Sequence, residues 1–142
     1  MPTDISVTST TSRRAPGRLW LGSPHGTDAP IHVTFDFATF THANFTATGQ
    51  IQNGCLLGKI TASGKYGPYD DTATDGRQTA VCALYDDQAI PTDTSRVITS
   101  AAVPHFQCIT AGLPYKTGPG ALDANARVDL SMVIFRDRKG TD

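Results

Sequence analysis

The sequence predicts a mainly β chain, and three observations carry that prediction. Apolar residues fall in runs of four to six, fenced by Gly, Pro, Asn and Asp, too short and too tightly bounded for good helices. All 13 acidic residues are Asp, which bonds its own backbone in turns, and the helix former Glu is absent. Thr, with its branched β-carbon, is abundant alongside Gly and Pro, a composition that suits strands and turns. A chain of 142 residues with 39% apolar content has room for one hydrophobic core, not two of ordinary size. The expected fold is mainly β with one short C-terminal helix, in a small domain preceded by an extended N-terminal arm.

Taken in order, residues 1–30 read as that arm. Pro2, Pro16, Pro24 and Pro30, many Ser and Thr, and Arg13, Arg14 and Arg18 leave too little apolar surface to offset ordering the backbone. Ile5, Val7, Thr8, Ser9 and Thr10 nevertheless alternate like a strand, and Leu19, Trp20 and Leu21 carry the one Trp of the chain. Two readings of Trp20 are open: an anchor that the arm inserts into a partner, or a lid that packs back on its own domain. The domain is expected over residues 31–136. Ile31, Val33, Phe35 and Phe37 alternate with His32, Thr34 and Asp36, which predicts a half-buried strand, and Phe40 and Phe45 continue the apolar content as a loop or second strand.

The stretch from Gly54 to Asp87 predicts two strands, Leu56 to Ile60 and Ala80 to Tyr85, joined by a turn-rich segment. Gly58, Gly64, Asp75 and Gly76 are its structural turn residues, with Asp75-Gly76 the strongest turn signal of the chain. Further short strands are expected around Val97-Ile98 and from Val103 to Leu113, and Lys116 to Gly120 reads as a loop. The helix is expected from about Ala121 to Met132, because Leu122, Ala126, Leu130 and Val133 line one face and Asp123 lies in the first turn. Val133 to Phe135 predicts a closing strand, and residues 137–142 a charged, solvated tail.

Several motifs fail on their mechanics. Gly54 to Thr61 imitates a phosphate loop, but only three residues separate its glycines, Ile60 follows the Lys, and no amphipathic helix comes next. Asp71 to Gly76 imitates a calcium loop, yet its third position is Ala73 and its twelfth is Cys82. Lys116-Thr117-Gly118 has no accompanying Ser-x-x-Lys. Cys55, Cys82 and Cys108 are odd in number, lack a CxxC spacing and sit in apolar runs, so they read as buried side chains. His25, His32, His42 and His105 share no metal-ligand spacing, so no metal site and no cofactor is expected.

Adjacent carboxylates at Asp70-Asp71 and Asp86-Asp87 point apart in extended backbone, and no nucleophile with a base is evident, so no enzyme is expected. A net charge of -1 argues against direct nucleic-acid binding and favours protein partners. No leader pattern and no membrane-length apolar run stand out, which predicts a chain made and kept soluble in the cytoplasm, with no membrane partner.

The succession Gly54, Leu57-Gly58, Ile60-Thr61-Ala62, Gly64-Lys65-Tyr66, Tyr69-Asp70, Ala73, Asp75-Gly76, Ala80, Leu84 and Tyr85-Asp86-Asp87 resembles the head decoration proteins of lambda-like tailed phages. Weaker similarity extends from about Val33 to Arg136, and Cys82 stands where a glycine is common in that family. The resemblance implies a β-tulip or β-clip type fold and a capsid-stabilising role on the outer surface of the expanded phage head. Its implied partners are the major capsid protein and two further copies of the chain, in a homotrimer at three-fold and quasi-three-fold positions. On that reading Ile5, Val7, Thr8, Ser9, Thr10, Leu19, Trp20 and Leu21 are the capsid-binding residues of the arm. The alternative is a virion-surface module that adheres to a host glycan or protein.

Overall fold

A computed structural model describes residues 18–137. The first strand, β1 (Ile31–Thr34), is followed by a 3-10 turn at Phe37–Thr39, a one-turn helix α1 (Ala43–Thr46) and the short strand β2 (Gln50–Ile51). Next come β3 (Leu56–Lys59), β4 (Tyr66–Pro68), β5 (Cys82–Leu84), β6 (Gln88–Ala89), β7 (Thr99–Val103) and β8 (Gln107–Ile109). A second 3-10 turn at Thr110–Gly112, the helix α2 (Ala124–Asp129) and β9 (Ile134–Arg136) complete the chain. The main sheet has the order β1-β7-β5-β3-β4 and is antiparallel throughout. Beyond β1 the chain reaches the opposite edge: Phe35 bridges Tyr66, and the Asp36 N–H donates to the Tyr66 carbonyl at 2.8 Å. The sheet therefore curls until its two edges meet, which removes open edge at that end.

Strand alternation builds two cores from this one sheet. Leu56, Ala83 and Val103 stand opposite one another on adjacent strands and face a cluster that contains Trp20, Phe106, Ala126 and Leu130. Their neighbours Leu57, Cys82, Leu84 and Ala102 face the other way, into Val33, Phe35, Phe37, Phe40 and Phe45. A sheet covered on both faces requires apolar residues at consecutive positions, which is why LeuLeu and CysAlaLeu occur as unbroken runs. The cover on the first face comes from α2 and from β8 paired in parallel with β9; the cover on the second is the aromatic run from Phe35 to Phe45.

The expected strands are present with shifted limits. Val97 lies outside the sheet and is exposed, and β7 begins at Thr99. The turn-rich segment between β3 and β5 hides a strand, β4, in which Pro68 is tolerated because its side of the ladder needs no N–H there. Phe45 sits on a helical turn rather than a strand, begun where the His42 Nδ1 accepts the Asn44 N–H at 3.0 Å. The C-terminal helix is shorter than its spacing suggested. Asp123 is its cap rather than a first-turn residue, accepting the Ala126 N–H at 2.8 Å, and Leu130 leaves helical geometry at φ -88° and ψ 62°. Ala126, Leu130 and Val133 still face the core, because one tight turn, closed by the Val133 N–H donating to the Leu130 carbonyl at 3.1 Å, continues the same face after the helix ends. No helix among the described residues is long and apolar enough to cross a membrane.

Candidate functional site

The chain enters the described domain at Arg18, and this entry is held by side chains distant in sequence. The Arg18 guanidinium stacks over the Tyr85 ring at 3.7 Å, donates from Nε to the Tyr85 carbonyl at 2.7 Å, and pairs with Asp86. Leu21 then bridges Cys108, with the Ile109 N–H donating to the Trp20 carbonyl at 2.7 Å and the Gly22 N–H to the Gln107 carbonyl at 2.8 Å. The segment thus lies along the side of β8 that β9 leaves free.

Trp20 is 1% exposed and meets Phe106 edge-on, with ring centroids 5.1 Å apart. Its indole N–H donates to Asn53 Oδ1 at 2.7 Å, and both the backbone N–H and the side-chain amide of Asn53 donate to Asp87 Oδ1 at 2.7 Å. In this structure Trp20 packs as the lid reading expects, with its ring in the core and its N–H bonded internally. Leu19, 62% exposed, is the apolar side chain of the trio that does face outward, and Leu21 is half-buried. Within the stretch assigned to the arm, Arg18 to Gly22 are tied to the domain by these contacts. Composition could not show this, because every tie runs to residues beyond position 50. Ile5, Val7, Thr8, Ser9 and Thr10 lie outside the described residues.

Beside the entry an open cleft of about 460 Å³ lies between Leu19, Trp20, Asn53, Asp87, Leu113 and Lys116. It offers amide donors and acceptors, one carboxylate and one ammonium over an apolar floor, groups that bind by hydrogen bonds. A separate surface feature is the exposed trio Val128, Met132 and Ile134, where α2 runs into β9. β9 pairs with β8 alone among the described residues, so its outer edge is open.

The turn residues of the central block divide into two kinds. Gly64 and Gly76 have positive φ, 76° and 117°, as turns require, and a β-carbon on Gly76 would also lie 2.3 Å from the Lys59 carbonyl oxygen. Gly58 is instead a residue of β3, where a β-carbon would meet the Arg77 backbone at 2.7 Å. Slight burial raises the Asp75 carboxyl, but bonds from the Arg77 N–H and guanidinium outweigh it and hold Asp75 below the usual range. The stretch that imitates a phosphate loop is strand β3 with its flanks.

The three cysteines are free thiols in the core. Burial pushes Cys82 and Cys108 up to about 12 and raises Cys55 well above its ordinary value, with a smaller contribution from neighbouring Cys82. Such thiols stay protonated at neutral pH and are poor nucleophiles.

Neither the curated proteins nor the solved structures give a match to this chain. A family model, bacteriophage lambda head decoration protein D, matches residues 24–113. The match takes in every strand of the main sheet and both sides of the Phe35–Tyr66 closure, while Trp20, α2 and β9 fall outside it. With well over half of the chain matched along the sheet that organises it, this protein belongs to the phage lambda head decoration protein D family.

Proposed function

We propose that this chain decorates the outside of the expanded phage head as homotrimers, clamping neighbouring copies of the major capsid protein against the pressure of packaged DNA. The observation that carries the reading is the family match over the main sheet. The curled five-stranded sheet supports a β-tulip type of domain. The role is mechanical: a trimer spanning several capsid subunits adds contacts that must break before those subunits separate, and three attachment points turn weak contacts into avidity.

The capsid contact we assign to the segment before Arg18, together with Leu19 at the surface. Ile5 to Thr10 alternate and are rich in branched side chains, which suits addition as a strand to a sheet edge of the capsid protein. Deleting residues 1–17 tests this. The shortened chain keeps its circular dichroism and melting temperature, and binds heads that lack the protein about tenfold more weakly or worse, because strand addition supplies the main-chain bonds. Equal binding by the shortened chain would overturn the arm assignment. Binding of either form to host cells but not to heads would favour an adhesive module instead.

A further inference from the structure

His25 and His105, 80 positions apart, meet at the surface with their Nε2 atoms 2.9 Å apart. Were both rings aligned with the N···N line, their centroids would lie farther apart than the observed 4.6 Å, so at least one ring meets that line at an angle. The nitrogen separation suits a shared ion whose ligands stand at right angles, as in the tetragonal sites of nickel and copper. Two nitrogens each about 2.0–2.1 Å from such an ion lie about 2.9 Å apart, whereas the tetrahedral angle of zinc would set them about 3.3 Å apart.

The backbone around the pair holds it in place. The Leu21–Cys108 bridge and the bond from the Gly22 N–H to Gln107 bring the His25 loop against the turn that carries His105. Gly26, at φ 87°, lies so close that a β-carbon would sit 1.9 Å from the His105 carbonyl oxygen. The loop is closed on itself by the Thr27 N–H and Oγ1 donating to the Pro24 carbonyl and by the Ala29 N–H donating to Gly26. The His25 N–H bonds Ser23 Oγ at 3.2 Å. Two imidazoles thus face each other on backbones already fixed, which lowers the ordering that metal binding requires.

The geometry points to a two-histidine site for a late first-row divalent cation such as nickel or copper, with His25 and His105 as its protein ligands. Imidazole nitrogen is a favoured donor for these ions, and the remaining coordination positions fall to water or to a donor from a neighbouring molecule. No cluster of three or more His, Cys or Asp ligands occurs among the described residues, so the site is a surface chelate and not a closed structural centre. Its effect is to fasten the entry segment to the β7–β8 turn, a tie made in the folded state alone.

The test uses the full chain without an affinity tag and nickel chloride as the probe, followed by calorimetric titration and by melting temperature. The native protein binds one nickel per chain, saturably, and its melting temperature rises with nickel. His25→Ala and His105→Ala each weaken binding by about tenfold or more, and the double variant is no worse than either single one, because a chelate is lost with its first ligand. His32→Ala, on the exposed face of β1, leaves binding unchanged. Folding of each variant is checked by circular dichroism without metal. Undiminished binding in both single variants, equal loss in His32→Ala, or no saturable binding up to about 1 mM nickel would each overturn the site.

Discussion

Trp20 shows how much one residue can organise. It closes the cluster on one face of the sheet, so Trp20→Ala opens a cavity among Phe106, Leu113 and their neighbours and leaves the Asn53 carbonyl without its donor. The expected cost is about 3–5 kcal/mol, read as a lower denaturation midpoint in urea. A change below about 1 kcal/mol would mean that the lid is dispensable. The thiols make a second prediction, with its sign fixed by burial. Raised values in the folded state mean that unfolded chains release protons first as pH rises, so the thiol contribution is complete below the ordinary thiol value and drains away above it. Each such thiol lowers stability by at most about 1.4 kcal/mol per pH unit between roughly pH 9 and 12. Melting temperatures at pH 7, 9 and 10.5 should fall, and fall less steeply in Cys82→Ala.

Among the elements, α2 depends most visibly on one side chain. The Asp123 carboxylate accepts the Ala126 N–H at 2.8 Å and the Tyr69 hydroxyl at 2.7 Å, which couples the helix start to the end of β4. Asp129, at the other end, accepts the Ala80 N–H at 3.0 Å. Asp123→Ala should cost about 1–2 kcal/mol, and less when Tyr69 is already Phe; equal losses in both backgrounds would show that the two bonds are independent. These elements also show what the sequence can and cannot reveal. β1 was legible because a strand covered on one face alternates with a period of two, and β3 and β5 because a strand covered on both faces is a short unbroken apolar run fenced by turn residues. β4 was not, since glycine and proline spell a turn unless its ladder partner in β3 is known. The helix was legible in its face but not in its length, because tight turns can keep the same residues aimed inward. The entry segment was left open for a related reason: a Pro- and Gly-rich stretch looks unanchored until Phe106, Cys108 and Tyr85 stand beside it. The His25–His105 meeting lies beyond any spacing rule.

For the whole molecule, a cyclic trimer needs two different patches on each copy that fit when rotated by a third of a turn. The exposed Val128, Met132 and Ile134, beside the open edge of β9, form one apolar area to weigh for that contact. A density map of the virion surface should show three copies around each three-fold position; isolated monomers or dimers would refute the trimer.

The closure of the sheet also sets an order of events during synthesis. Ile31 must wait for Ala102, Trp20 for Phe106, and β8 for β9 near the end of the described chain. Nearly every early segment is thus promised to a late one. A growing chain can form the β3–β4 hairpin as it emerges, but the first strand and the entry segment stay without these partners until β7 and β8 have been made. The domain then assembles late and from both ends, at the slow pace of distant β pairing.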